Sequence, residues 1–376
     1  MKKIKILHAL VRVGSGGVEQ TRLSLVKHLD RNIFEQCLVC SDYFGGLPGE
    51  LEDAGCPVHE VGVLKHPFDP NPYSKVLKVI RTFKPDIIHG AVFEGVSFAA
   101  VSGRLGGVPI ILGEETSDPQ DRRWTGHLLF RILAGMTHHM VAVSPAVRTY
   151  LIGKIHLPVN KVTLINNGVA EAPSTNPSEV EELRHTLGLT DHDFVIGTVG
   201  RLYDNHKRVS DLIRALGIMH LSHFHAHLLI VGGGADEEML RQLAAGLGIA
   251  QHVHFVGYQA NPRPYYTLMD VFALASSWEA FGLVLVEAMF ANLPVVGTRV
   301  GGIPTVVREG ETGLLVEPRQ PQALADAFLT LFRSPGLRHE MGRKGRIKAL
   351  AEFGEERYVR EVGELYQKLA IQYLPA

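Results

Sequence analysis

The chain has 376 residues, which exceeds the usual size of a single hydrophobic core and predicts two domains. Hydrophobic residues make up 45% of it and charged residues 20%, as in an ordinary globular protein. The formal net charge of -1 gives no reason to expect a nucleic acid partner.

The N-terminus resembles the start of a signal peptide, because residues 1–10 are basic and then apolar. Arg12 and a Gly-rich turn end the apolar run too early, so we predict a first strand and a cytoplasmic protein. No segment approaches the length of a membrane span. Cys37, Cys40 and Cys56 form no disulfide framework or metal pattern, and we predict reduced core residues.

In chain order, apolar strand-like runs alternate with helical stretches. In the first half the predicted strands are 4–10, 37–40, 85–89, 109–112 and 140–143, and the predicted helices are 23–29, 76–83, 98–105 and 127–133. A polar, Pro-rich run at 170–177 predicts a linker. In the second half the predicted strands are 194–199, 227–231, 253–255, 271–274 and 294–296, and the predicted helices are 209–219, 237–247, one opening at Gly282, two starting at Gln322 and Leu337, and a last one at about 355–373.

This alternation predicts an α/β protein of two doubly wound, Rossmann-like domains that face each other across a cleft. The continuous apolar strands indicate parallel sheets covered by helices on both faces. We place the first domain at 1–172 and the second at 173–354. In such sheets, ligands bind beyond the carboxyl ends of the strands.

Two turns between a strand and a helix are candidate phosphate sites. Gly14–Gly17 lets the backbone approach a phosphate at a helix start, but a tight turn explains it equally well. Arg201 and Lys207 follow a strand that ends at Val199 and could clamp a diphosphate. A solvated, basic helix entry fits the same residues. Another turn between a strand and a helix, Gly232–Gly234, precedes acidic residues, which favour a structural role for it over phosphate contact.

Glu279 and Glu287 form an E-x7-E pair at the start of an apolar helix opened by Gly282. Burial makes a carboxylate such as Glu287 costly unless it is hydrogen-bonded, and one Glu alone would be explained as a satisfied core residue. The free N–H groups of a helix start favour an anion. The pair therefore predicts a ligand site.

Histidines are plentiful, but they lack the context of metal ligands. His138–His139 and the group of His220, His223, His225 and His227 have no accompanying carboxylate or Cys pattern. We expect no metal site and interpret the second group as a surface feature.

Taken together, these motifs resemble the retaining glycosyltransferases of family 4, which have the two-domain GT-B fold. The resemblance is densest over Ser276–Pro318, which holds the E-x7-E pair and the run Gly301-Gly302-Ile303-Pro304. It extends through the Gly-rich turns and Asn167-Gly168-Val169 over nearly the whole chain. In that fold the last helix, within 355–376, packs back on the N-terminal acceptor-side domain, and the C-terminal domain binds the nucleotide-sugar donor.

The resemblance implies roles for individual residues. Arg201 and Lys207 would bind the diphosphate, Glu287 the ribose hydroxyls, and Glu279 would face the donor sugar as the catalytic residue. The other implied donor-binding positions are the backbone of Phe281, Gly282 and Leu283, the base-side pair Gly257 and Tyr258, and the phosphate-side pair Gly16 and Gly17 of the first domain.

The implied activity is hexosyl transfer from a UDP- or GDP-linked sugar to a glycan, lipid-linked or small-molecule acceptor, with retention of anomeric configuration. No metal and no cofactor beyond the nucleotide sugar is expected, and the implied setting is cytoplasmic synthesis of polysaccharide or cell envelope. Two alternatives stay open: a GT-B nucleotide-sugar epimerase and a non-catalytic sugar-nucleotide sensor. The sugar-facing Glu279 favours the enzyme, since a sensor does not need it.

The acceptor side is less defined. Glu114 and Glu115 stand where many family members carry a His, and Thr305 stands where relatives often carry Glu, so the roles of Glu114 and Glu115 are left open. The stretches 121–124 and 127–133 are basic, aromatic and apolar, which indicates peripheral contact with an anionic membrane. A core-facing helix with solvated arginines is the more frequent explanation of such a pattern.

Overall fold

A computed structural model describes residues 3–14, 16–66, 69–117, 119, 122–171 and 175–375. The chain forms two compact units, unit 1 from Met1–Ala170 with Glu355–Ala376, and unit 2 from Glu171–Gly354. The predicted boundary between Ala172 and Pro173 lies outside the described residues, as do Ser15 and Asp121.

Unit 1 contains a seven-stranded parallel sheet in the order β3-β2-β1-β4-β5-β6-β7. Its strands are β1 (Ile4–Val13), β2 (Phe34–Tyr43), β3 (Val58–Glu60), β4 (Ile87–Ala91), β5 (Ile110–Glu115), β6 (His139–Ala142) and β7 (Val162–Leu164). Its helices are α1 (Gly17–His28), α2 (Leu47–Asp53), α3 (Pro70–Phe83), α4 (Val92–Leu105), α5 (Trp124–Met136), α6 (Pro145–Thr149) and the C-terminal α16 (Glu355–Tyr373).

Unit 2 contains a six-stranded parallel sheet in the order β10-β9-β8-β11-β12-β13. Its strands are β8 (Val195–Val199), β9 (His227–Val231), β10 (Val253–Phe255), β11 (Val271–Leu274), β12 (Val295–Thr298) and β13 (Gly313–Val316). Its helices are α7 (Pro177–Thr186), α8 (Asp204–Lys207), α9 (Val209–Leu221), α10 (Glu237–Gly246), α11 (Arg263–Tyr266), α12 (Leu283–Phe290), α13 (Ile303–Val306), α14 (Pro321–Arg333) and α15 (Pro335–Phe353).

The predicted class of two doubly wound parallel α/β units is confirmed. In each sheet the first strand lies in the interior and the chain then winds in both directions, so the order reverses between β1 and β4 in unit 1 and between β8 and β11 in unit 2. Strands buried on both faces explain the continuous apolar runs. The strand β11, for example, is buried along its whole length from Val271 to Leu274.

The sequence-based elements were incomplete at the sheet edges. We predicted no strand at β3, β7 or β13, whose three or four residues are too short to show a period. The helix predicted from Val76 begins earlier, at Pro70. Asp69 is its N-cap and accepts a hydrogen bond from the backbone N–H of Asn71 at 3.2 Å, and Pro70 suits the first helical position.

The C-terminal helix α16 closes a buried ionic cluster inside unit 1. Arg22 of α1 donates to Glu114 of β5 at 2.6 Å and to the Tyr358 hydroxyl at 3.2 Å, and both charged side chains are buried. The His89 ring lies 3.2 Å from Glu114 and 2.7 Å from the Tyr366 hydroxyl. Burial alone would raise the pKa of Glu114, but the Arg22 guanidinium holds it at about 2. Removing one member would strand a buried charge.

The group of histidines in unit 2 extends beyond the sequence neighbours. His252 and His254, at β10, join His220 and His227, with ring centroids 4.4 Å apart for His220–His252 and 5.1 Å for His227–His254. Asp193 lies 3.7 Å from His227. His223 and His225 are exposed, but these four rings are half-buried. No group among the described residues has the arrangement of a metal site.

We expect this histidine cluster to make unit 2 sensitive to acid. Burial, followed by neighbouring imidazoles, lowers the pKa of His227 and His254, and burial followed by His220 lowers that of His252. Rings that resist protonation when folded contribute stability above their unfolded pKa of 6.5. The free energy of unfolding should therefore decrease as the pH falls from 6.5 through the lowered folded-state values.

Urea titrations from pH 8 to 5, followed by Trp278 fluorescence in a Trp124→Phe background, measure this dependence. The variant His252→Gln should flatten it, and His223→Gln, outside the cluster, should leave it unchanged. An unaltered pH slope in His252→Gln would contradict the explanation.

Candidate functional site

The two motifs with charged residues follow the two strands at which the unit 2 sheet reverses. Residues 200–207 follow β8, and residues 276–282 follow β11, which pairs directly with β8. Loops that diverge from such adjacent strands leave a crevice at their carboxyl ends, where doubly wound sheets bind ligands. Strand order alone therefore brings the two motifs to one place.

At this place Lys207 and Glu279 form an ion pair. The Lys207 ammonium donates to the Glu279 carboxylate at 2.6 Å, and their side chains are 17% and 15% exposed. The Ser276 hydroxyl lies 3.5 Å from the same carboxylate oxygen. The family resemblance implies that Lys207 and Glu279 contact different parts of a ligand, and the structure places this cation and this anion side by side.

His206 joins the two loops beside this ion pair. Its ring stacks on the Trp278 indole, with centroids 4.9 Å apart and planes 10° apart, and its Nε2 lies 2.6 Å from the Trp278 carbonyl oxygen. The Ser277 N–H donates to the His206 carbonyl at 2.8 Å. Burial and the adjacent Lys207 lower the pKa of His206. The neutral ring then donates from Nε2 and fixes the spacing of the loops.

Two aspartates fix the short helix α8 that carries Lys207. The Asp204 carboxylate accepts from both the N–H and the hydroxyl of Ser210 at 2.7 Å. Asp236 accepts from the Asp204 N–H at 2.6 Å. The acidic residue behind the Gly-rich turn therefore holds the Lys207 loop in position.

Glu287 occupies the second turn of α12, and its carboxylate accepts from the Tyr266 hydroxyl at 2.8 Å. Tyr266 is buried, whereas Glu287 keeps partial exposure. Burial raises the pKa of Glu287, and the Tyr266 hydrogen bond opposes that rise. A carboxylate held in this way retains acceptor capacity for a ligand hydroxyl.

Two glycines allow backbone segments to touch around the site. A side chain at Gly302 would place its Cβ 2.1 Å from the Ala280 carbonyl oxygen, and the Gly302 N–H donates to the Glu279 carbonyl at 2.8 Å. A Cβ at Gly232, where φ is 137°, would lie 1.9 Å from the Gly200 carbonyl oxygen. The close approach explains why these turns are glycine, without any ligand.

The other residues predicted to bind the donor do not contact the Lys207–Glu279 ion pair through hydrogen bonds among the described residues. Arg201 is exposed, and its guanidinium has no hydrogen-bond partner within the described part of the chain. Tyr258 is 63% exposed, next to Gly257, whose carbonyl accepts from the Gly232 N–H at 2.8 Å. Phe281, Gly282 and Leu283 form the start of α12, with Phe281 buried against Phe353.

In unit 1, Gly16 and Gly17 form the N-terminus of α1, with Gly16 as its N-cap. Their assignment to donor phosphates stays a prediction. Glu115 ends β5 and accepts from the Ser117 hydroxyl at 2.5 Å. Burial raises the pKa of Glu115, and Arg122, 3.5 Å away, opposes the rise.

Sequence reasoning missed Tyr266, His206, Trp278 and Asp236. Tyr266 lies 21 residues before Glu287 in another element, and no local pattern links them. Signals existed for the other three, since His206 and Trp278 stand directly before the predicted Lys207 and Glu279, and Asp236 is one of the acidic residues after the Gly232–Gly234 turn.

Two protein-family models match this chain, one in each half. The family model "Glycosyltransferase Family 4" matches residues 15–172, and "Glycosyl transferases group 1" matches residues 179–348. Among solved structures, a crystal structure of Anabaena Alr3699/HepE in complex with UDP-glucose superposes with a TM-score of 0.86 at 23% identity, covering 97% of this chain and 100% of that chain. This likeness shows the fold.

Two curated relatives illustrate the range of similarity. N-acetyl-alpha-D-glucosaminyl L-malate synthase of Bacillus anthracis is 32% identical over 188 residues, 50% of this chain and 49% of that protein. Putative glycosyltransferase EpsD of Bacillus subtilis (strain 168) is 26% identical over 323 residues, 81% of this chain and 83% of that protein. The chain thus spans about half the length of the first relative.

The two family models and the fold place the chain among the glycosyltransferases of the GT-B fold. More narrowly, the chain is a family 4-like glycosyltransferase.

We expect Gly302→Ala to destabilise unit 2, because its Cβ would overlap the Ala280 carbonyl. Overpacking of this kind costs about 1–3 kcal/mol. Gly336→Ala, where a Cβ meets nothing within 4 Å, is the matched control and should change stability by less than about 1 kcal/mol. Chemical denaturation compares the two variants, and equal effects would refute the role of the close approach.

Proposed function

We propose that this glycosyltransferase moves a hexosyl group from a nucleoside-diphosphate sugar to a glycan, lipid-linked or small-molecule acceptor, with retention of anomeric configuration. The observation that carries the proposal is the Lys207–Glu279 ion pair, 2.6 Å long, beside the start of α12 at the reversal of the sheet. The ion pair supports the proposal because a cation suited to phosphate and an anion suited to hydroxyls lie at the edge where such sheets bind ligands.

On the donor side, Lys207 and the exposed Arg201 would hold the diphosphate, and Glu287 would accept from the ribose hydroxyls. Glu279 would contact the donor sugar as the catalytic residue. The backbone of Phe281, Gly282 and Leu283 would add N–H groups at a helix start. We assign the base to Gly257 and Tyr258, and we expect UDP, which the Anabaena protein binds, before GDP.

The chemistry follows from where charge develops. Cleavage of an anomeric C–O bond passes through an oxocarbenium-like state and leaves a diphosphate anion. Arg201, Lys207 and the N–H groups of α12 would stabilise that anion. Attack of the acceptor on the face of the departing phosphate would retain configuration, with the leaving phosphate oxygen taking the acceptor's proton.

A panel of UDP- and GDP-sugars, assayed for nucleoside diphosphate release with and without acceptors, tests the proposal. Lys207→Ala and Glu279→Gln should each lower turnover by about 100-fold or more, as loss of a preorganised charge does. Arg241→Ala, which removes an exposed cation of α10, should have no effect. Nucleoside diphosphate release that does not depend on Lys207 and Glu279 would contradict the assignment. The anomeric configuration of the product, read by NMR, decides retention.

Glu287 should act through donor binding more than turnover. We expect Glu287→Ala to weaken donor affinity about tenfold or more, because a hydrogen bond to a charged group contributes roughly 1.5–3 kcal/mol. Tyr266→Phe removes the hydrogen bond that opposes the raised pKa of Glu287. Donor affinity in that variant should therefore be lost at a higher pH as the solution is acidified.

Calorimetric titrations with donor from pH 8 to 5 measure both effects. Tyr265→Phe, an adjacent buried Tyr, is the control and should follow the wild-type profile. Unchanged donor affinity in Glu287→Ala would contradict the ribose assignment.

We also propose peripheral contact of α5 with an anionic membrane. Trp124, Leu128 and Ile132, at helical spacing, are 75%, 51% and 55% exposed, and Arg123 and Arg131 flank them. The helix contains no acidic residue. Arg123 and Arg131 are solvated, and one face of α5 packs into the core through Phe130, Leu133 and Ala134. The exposed stripe is a separate face of the helix. No described helix is long and apolar enough to cross a membrane.

Cosedimentation with anionic liposomes tests this contact. Binding should be weak and should decrease with salt, because the attraction to lipid charge is screened. A Trp124→Ser/Leu128→Ser variant should lose binding, whereas Leu221→Ser, which removes an 85% exposed leucine of unit 2, should not. Full recovery of the wild type in the supernatant at low salt would overturn it.

A further inference from the structure

A cavity of about 280 Å³ lies in unit 1 at the amino ends of β6 and β7, against the C-terminal half of α16. The sheet side contributes His138, His139 and Lys161, and the helix contributes Lys368. The other lining residues are Pro158, Asn160, Leu365, Leu369, Gln372 and Tyr373. Ligands of doubly wound sheets bind at the carboxyl ends of the strands, so this cavity is a separate place.

The charge around the cavity is of one sign. No carboxylate is among the described residues that line it, and neither Lys161 nor Lys368 forms an ion pair within the described part of the chain. Burial, then Lys368 and Lys161, lowers the pKa of His139 to about 4. Burial, then Arg104, lowers the pKa of Lys161. An anion in the cavity would offset this repulsion.

The lining also supplies hydrogen-bond donors. The Nδ1 atom of His138 accepts from the Ile111 N–H at 2.8 Å, so the neutral ring carries its proton on Nε2 and is a donor there. The ammonium of Lys368 and the side-chain amides of Asn160 and Gln372 add further donors. Donors and positive charge around one concavity suit the oxygens of a phosphate group.

We propose that this cavity binds a phosphate dianion, either inorganic phosphate or the phosphate monoester of a small molecule. Pockets for larger ligands span roughly 300–1,000 Å³, so the cavity suits a small anion better than a nucleotide. Lys368 contacts the anion from the helix wall. Lys161, whose ammonium donates to the Gly135 carbonyl at 3.0 Å, adds positive charge and its remaining N–H groups from the sheet wall. His139, whose Nε2 lies 2.7 Å from the Thr163 hydroxyl, gains a proton when the anion binds. The inference is independent of glycosyl transfer and of the donor assignment.

NMR of the histidine Cε1–H signals of the full chain tests this site. Inorganic phosphate and glycerol 3-phosphate are titrated separately, with sodium chloride holding the ionic strength constant. We expect saturable shifts of His138 and His139 and a raised pKa of His139 in the presence of the ligand. Lys368→Glu should weaken binding at least about tenfold, the equivalent of one lost charge-assisted contact. Lys78→Glu, an exposed lysine of α3, should match the wild type.

The outcomes separate the sources of the anion. Saturation by glycerol 3-phosphate alone identifies an esterified ligand, and saturation by both identifies the phosphate group itself. Absence of saturable shifts with either anion overturns the proposal. Equal weakening by Lys368→Glu and Lys78→Glu also overturns it, because the effect would then be one of net charge. Lys368→Gln serves as the second variant if the glutamate disturbs α16.

Discussion

The pairing of Lys207 with Glu279 is the interaction on which the candidate site of unit 2 depends. It requires β8 and β11 to be neighbours, since the two residues stand 72 positions apart in the chain. Gly302 then has to lie against Ala280, and His206 against Trp278, so that both loops keep their spacing. A diphosphate that binds Lys207 would compete with Glu279 for the ammonium. The Glu279 carboxylate would then be free to accept hydrogen bonds from sugar hydroxyls. Substrate entry would thus reorganise charge already in place.

Much of the architecture was predictable because the burial of an element determines the pattern of apolar residues in its own sequence. Strands covered on both faces give continuous apolar runs, and their alternation with helices indicated two doubly wound sheets. The edge strands β3, β7 and β13 have only three or four residues, which is too few for a recognisable apolar pattern. The start of α3 was readable from Asp69 and Pro70, and Tyr73 already lies on the buried face with Val76. The prediction used only the denser apolar run that begins at Val76, and it therefore missed the first two turns.

The sequence indicated candidate residues for the site of unit 2, but it did not indicate their contacts. Charge and glycine spacing made Arg201, Lys207, Glu279 and Glu287 candidates for contacts with phosphates and hydroxyls, and the family resemblance supplied the individual roles. The partners that position them, such as Tyr266 for Glu287, are set by tertiary packing across distant elements. The histidines of unit 2 make the same point, since His252 and His254 reach the earlier group only through the pairing of β9 with β10.

The return of α16 to unit 1 has a consequence for synthesis. Unit 1 is built from two segments of the chain, with all of unit 2 between them. Its apolar cluster includes Phe34, Ile87 and Tyr366, and Tyr366 belongs to α16. This core therefore remains incomplete until α16 has been synthesised. At about 5–20 residues per second, the intervening unit takes roughly 10–40 s to make. During that time Arg22 and Glu114 lack Tyr358, whose hydroxyl accepts a hydrogen bond from Arg22 in the folded protein. Unit 2 can fold in the same interval, before unit 1 is complete.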